Sequence, residues 1–142
     1  MARSRTTKGP FFTASAALLT ALVVASVHPA LGQDQLAAAE SAAKAGAETA
    51  EGKMFEDAVG QAFGRDHGGT IHQCAKSAKR GDLSNFIVFL RVDGTGVVDQ
   101  ALVNPATTLS TCVKGKMPGW KVSAPPAAGH WVKVGVNLKG KS

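Results

Sequence analysis

The chain has 142 residues and carries 16 lysines and arginines against 10 aspartates and glutamates, a formal charge of +6, with two tryptophans and no tyrosine. A chain of this length makes one domain with a modest core. Its lysines are scattered and lack the aromatic interleaving of a nucleic-acid surface, so no nucleic-acid partner is expected.

Arg3, Arg5 and Lys8 precede a mostly apolar run from Phe11 to Val27, which breaks at Pro29 before the small residues Ala30 and Gly32. That order predicts a cleavable secretory signal peptide over 1–32, cut between Gly32 and Gln33. Thr13, Ser15, Thr20 and Ser26 make the run short and polar for a bilayer span, which needs roughly 20 apolar residues. With no later segment apolar enough to cross, no stable membrane span is expected after cleavage, and the expected location is periplasmic or secreted. In such a compartment Cys74 and Cys112 are expected to pair as a disulfide. Charge in the remaining chain is uneven. Gln33 to Asp57 holds six acids against Lys44 and Lys53, whereas the rest holds eleven basic residues against four acidic ones.

An Ala/Glu-rich leader over 33–53 contains nothing bulkier than Leu36 and is expected to be a loose linker or a frayed helix outside the core. The folded domain is expected over 54–142. Phe55, Val59 and Phe63 recur at four-residue steps and predict a short helix that Gly64 ends. Arg65 to Thr70 reads as a turn, and Ile71, Cys74, Ala75 and Ala78 share one face of a second helical stretch to Lys79.

Ser84 to Val92 alternates as a strand, with Phe86, Val88, Leu90 and Val92 on one side and Ile87, Phe89 and Arg91 on the other, so its middle is apolar on both faces. Asp93-Gly94-Thr95-Gly96 supplies a hairpin turn and Val97 to Asn104 the returning strand. After Pro105 the period lengthens: Leu109, Cys112, Val113 and Met117 line a helix that Thr107 or Thr108 caps and Pro118-Gly119 stops. Trp120 is expected beneath the Pro125-Pro126 loop. His130 to Leu138 is the last strand, with Val132, Val134, Val136 and Leu138 on one face and Trp131, Lys133 and Asn137 on the other. The expected fold is α+β, two short helices packed on one face of a three-stranded antiparallel sheet in the order helix, strand, strand, helix, strand.

No catalytic constellation stands out. Ser77, Ser84 and Ser110 lack a strained nucleophile setting, and Asp82 and Asp93 are accounted for by loop and turn. His67, His72 and His130 show no metal-ligand spacing, and Gly94-x-Gly96 precedes a strand where a phosphate loop would open a helix. Neither an enzyme activity, a metal nor a cofactor is expected.

The inward cysteine of the first helix region, the strand ending in Asp93-Gly94-x-Gly96, Leu109-x-x-Cys112-Val113, Pro118-Gly119-Trp120-Lys121-Val122, the Pro-Pro loop and the alternating last strand together resemble the TonB C-terminal domain superfamily, and within it the two-cysteine branch. The resemblance covers about Ile71 to Leu138. It implies a periplasmic module that accepts a partner's extended segment on a sheet edge. Energy transducers of that superfamily carry a retained anchor and a long Pro-rich linker where this chain has a short signal and a short Ala/Glu segment, so coupling to an inner-membrane motor is not expected.

An exposed edge can gain main-chain hydrogen bonds from an added strand. The candidate partner-binding residues are therefore Trp131, Val132, Lys133, Val134 and Val136, with a protein or peptide of the cell envelope as the partner and an acid opposite Lys133. The rival expectation is a small secreted inhibitor or envelope-structural protein that uses a basic surface.

Overall fold

The computed structural model describes Gly9 and residues 30–138. The predicted signal segment up to Pro29, apart from Gly9, lies outside the described residues. The elements are α1 (Ala30–Ala47), α2 (Ala50–Ser77), β1 (Phe86–Val92), β2 (Val98–Asn104), α3 (Thr108–Gly115) and β3 (His130–Val136), with a single 3₁₀ turn at Arg80–Asp82. The fold is α+β: three helices and an open, three-stranded antiparallel sheet in the order β2-β1-β3.

The sheet is covered on both faces, by different means. Phe86, Val88, Leu90 and Val92 of β1, with Val98 and Ala101 of β2 and Val132, Val134 and Val136 of β3, point into the main core. There they meet Phe55, Val59 and Phe63 of α2 and Leu109, Val113 and Met117 from the α3 region. Full burial of a side chain of this size stabilises by roughly 1.5–3 kcal/mol, so this layer dominates the fold's stability. A one-residue bulge at Asp99 shifts the register between Arg91 and Val92 and lets Val98 and Ala101 share this face.

On the opposite face Phe89 is buried beneath Ala39 and Ala43 of α1, each 1% exposed, with Leu36, Ile87, Leu102 and Trp131 packed around them. The leader expected to lie outside the core thus forms a helix that buries one stripe, Ala39 and Ala43, on the sheet while most of its other residues stay exposed. Its alanines are what allow it, because a helix lined by methyl groups approaches the sheet closely. The packing of helices on a single face is corrected accordingly: α2 and α3 lie on one side and α1 on the other.

The two helical stretches expected at Met54–Phe63 and Ile71–Lys79 are one 28-residue helix. Gly64, Gly68 and Gly69 each weaken a helix by about 1 kcal/mol relative to alanine, yet the stripe of Phe55, Val59, Phe63 and Cys74 keeps α2 seated on the core across all three. Thr49 caps its start, its hydroxyl accepting from the Gly52 N–H at 3.0 Å. Glycine is required at 52, where a Cβ would collide with the Gly46 carbonyl oxygen at the tight α1–α2 turn.

The hairpin turn and the cap of α3 match their local expectations, whereas α3 ends at Gly115, short of Pro118-Gly119. Asp93 organises the hairpin turn, its Oδ1 accepting from the N–H of Thr95 at 2.9 Å and of Val97 at 3.0 Å, and Gly96 turns with φ +90°. Thr107 and Ser110 cap α3 reciprocally: the Ser110 N–H donates to Thr107 Oγ1 at 3.1 Å and the Thr107 N–H donates to Ser110 Oγ at 2.8 Å.

Cys74 and Cys112 form a disulfide that ties α2 to α3, with Cα atoms 5.8 Å apart. In the chain-entropy account, closing a loop of this length stabilises by about 4 kcal/mol.

Candidate functional site

β3 is an edge strand, bonded to β1 on one side only. Backbone donors and acceptors alternate sides along a strand, and the register with β1 fixes which set points away. The N–H of Lys133 is directed outward, to the Glu56 carboxylate of α2 at 3.5 Å. Trp131 and Gly135, two residues to either side, share that orientation. Their N–H groups have no hydrogen-bond partner among the described residues.

The five predicted binding residues therefore divide. Val132, Val134 and Val136 are buried, at 0%, 5% and 7% exposure; their side chains belong to the core and are not available to a partner. Lys133 is exposed, and Trp131 is half-buried against the α1 layer. Gly135, which sequence reasoning passed over, is exposed and brings outward backbone with no side chain to obstruct an approaching strand.

The edge runs between two clefts. One, of about 260 Å³, lies toward α1 and is lined by Glu40, Lys44, Glu48, Glu56 and Lys133 among others. The other, of about 430 Å³, lies toward α2 between Glu56, Asp57, Gln61 and the Lys133–Gly135 backbone. Asp57 is matched by Lys53 at 2.6 Å, an i,i+4 pair on α2. At the amino end of β3, His130 closes the edge against the α1–α2 turn. Its ring meets Phe55 edge-on at 5.3 Å, and a Cβ at Gly46 would stand 2.8 Å from that ring.

The second sheet edge is half closed. Val98 of β2 donates to the Trp120 carbonyl and accepts from the Gly119 N–H, both at 2.8 Å, and Val97 bridges to Lys121. Farther along, Leu102, Val103 and Asn104 border a cleft of about 420 Å³ that Leu36, Thr111 and Lys114 overhang.

Trp120, expected beneath the Pro125-Pro126 loop, is half-buried and packs on α2. Its ring meets His67 at 4.5 Å and Phe63 at 6.0 Å, both edge-on, and its Nε1 donates to Asp66 Oδ2 at 3.2 Å. Asp66, expected in a turn, is thus on α2; the Arg65 and Trp120 hydrogen bonds hold its carboxyl below the usual carboxylate range. Burial pushes the His67 imidazole below its ordinary pKa, against the opposing pull of Asp66, and its Nε2 is enclosed without a hydrogen-bond partner. An aromatic joint of this kind locks the chain after α3 to the middle of α2. Among the described residues no three His, Cys, Asp or Glu side chains gather as a metal site.

No helix among the described residues is long and apolar enough to cross a membrane; together with the disulfide, this is compatible with an extracellular or periplasmic location. No family model, curated protein or solved structure matches the chain.

Proposed function

We propose that this domain is an exported, non-catalytic binding module of the cell envelope that accepts an extended protein or peptide segment along the outer edge of β3, as its resemblance to TonB C-terminal domains implies. The observation that carries this reading is the outward backbone of Trp131, Lys133 and Gly135 on a strand whose valines are anchored in the core. Anchoring holds the edge straight and presented, so a docking strand would order only itself. Each main-chain hydrogen bond gained would contribute about 0.5–1.5 kcal/mol net, and three outward residues on a short edge suit a moderate, reversible affinity. The helix-strand-strand-helix-strand order of α2 through β3 and the α2–α3 disulfide are what one expects of the two-cysteine branch.

Selective backbone methylation of a bound peptide tests the mode. A strand has one amide face toward its new neighbour and one away from it. N-methylation at alternate residues in the inward register should weaken binding at least tenfold, and in the outward register leave it nearly unchanged. Equal tolerance of both would reject strand addition. Amide shifts confined to Lys76, Lys79 and Arg80 would instead favour the basic-surface alternative.

A further inference from the structure

We infer that the segment taken up at the β3 edge is cationic, with lysine or arginine at alternate positions; this rests on the edge-addition reading above and specifies its partner. An incoming strand must present a carbonyl to the Lys133 N–H, and that donor is already engaged by Glu56. Glu56 is half-buried, and among the described residues no lysine or arginine nitrogen lies within ion-pair distance of it. Displacement therefore leaves a partly desolvated carboxylate without a donor, which is unfavourable unless the newcomer supplies one. A lysine or arginine on the incoming strand replaces the lost N–H with a charge-assisted hydrogen bond, which is stronger than the one given up.

The surroundings act in the same direction. Glu40 and Glu48 line the cleft on the α1 side without ion-pair partners among the described residues. The acidic segment Gln33–Asp57, whose six carboxylates face only Lys44 and Lys53, comprises most of α1 and the first turns of α2. The fold sets these two elements on opposite faces of β3, and the two clefts beside the edge are lined by Glu40, Glu48, Glu56 and Asp57 against Lys44 and Lys133, with Asp57 paired to Lys53, so carboxylates outnumber cations along the edge. Side chains of an added strand alternate between the two faces. Every second residue would enter the same cleft, which is why alternate cations fit. Lys133, opposite which the sequence suggested an acid, is the one lysine or arginine of β3 among the described residues, and it is exposed enough to swing aside.

The test is a selection of random ten-residue peptides on the folded, oxidised domain, followed by synthesis of an enriched peptide in three forms: as selected, with its cations replaced by glutamine, and with them replaced by glutamate. The expected parent is cationic and shifts the Trp131, Lys133 and Gly135 amides. The glutamine form should bind several-fold more weakly and the glutamate form more weakly still. Glu48→Gln and Glu56→Gln should each cost the parent about two- to fivefold in Kd; Glu48→Gln should leave the glutamine form unaffected, and Glu56→Gln should not weaken it. A glutamine or glutamate form that shifts the same β3 amides with undiminished affinity overturns the cationic inference while the edge reading stands. Enriched peptides that leave those three amides unmoved, or no enrichment at all, overturn the edge reading and this inference together.

Discussion

The Glu56 carboxylate stands 3.5 Å from the outward N–H of Lys133, so the edge of β3 carries its own acceptor. Edge strands are templates for unwanted pairing, and charged groups placed on them discourage it. Glu56→Ala is expected to speed hydrogen exchange at the Lys133 amide while Val132 and Val134 stay protected, and to raise self-association at high concentration. Stability should change by about 0.5–1.5 kcal/mol, the net worth of one hydrogen bond at a half-buried side chain. An unchanged Lys133 exchange rate would show that Glu56 does not guard the strand.

α1 is held by small side chains. Ala43 is 1% exposed against the face of the sheet that Phe89 occupies, leaving no room for a longer residue. Ala43→Glu is expected to undock α1 at a cost of about 2–4 kcal/mol, from overpacking and a buried unpaired charge. Trp131, half-buried in the same layer, should then show red-shifted fluorescence, whereas Lys44→Glu on the exposed side should not produce it.

Gly64, Gly68 and Gly69 lie inside α2 with negative φ, and a Cβ at each would meet open space. Replacing any one with alanine should stabilise by about 0.4–1 kcal/mol through a less flexible unfolded chain, read as a rise in melting temperature. A loss at any of the three would mean that α2 is not continuous there.

His67 should make stability fall in mild acid. Burial lowers its pKa in the folded state relative to its ordinary value of 6.5, so near pH 6 the unfolded chain binds more protons than the folded one. The contribution is complete above pH 6.5 and declines as pH drops from there toward the folded pKa. Asp66 on α2 opposes the shift, while Phe63 and Trp120, which enclose the ring, carry no charge. His67→Phe should flatten that part of the pH profile while preserving the aromatic joint; chemical denaturation at pH 7.5, 6.5 and 5.5 gives the comparison.

Features governed by local chemistry were legible in the sequence. The hairpin follows from the Asp93 side chain and the positive φ at Gly96, and the start of α3 from the Thr107–Ser110 pair, each within four residues. The continuity of α2 was hidden because its glycines are poor helix formers and only the core between α2 and the sheet overrides them. α1 had a readable signal. β1 is apolar on both sides at Ile87 and Phe89, so a second face needed cover, and Leu36, Ala39 and Ala43 recur at helical spacing to provide it. That cover was missed because alanine stripes carry little hydrophobic weight. At the edge itself, Lys133 was readable from alternation. Glu56, 77 residues away in sequence, comes to it only through the tertiary fold.

The most direct measurement of the central claim is residue-resolved amide hydrogen exchange of the folded domain with and without a bound extended segment. Trp131 and Gly135 are expected to exchange quickly alone and Lys133 more slowly behind Glu56, and all three to become protected together on binding, with Val132, Val134 and Val136 slow throughout and the β2 edge at Ala101 and Val103 unchanged. Protection that appears along β2, or binding that leaves those three β3 amides as fast as before, would contradict it.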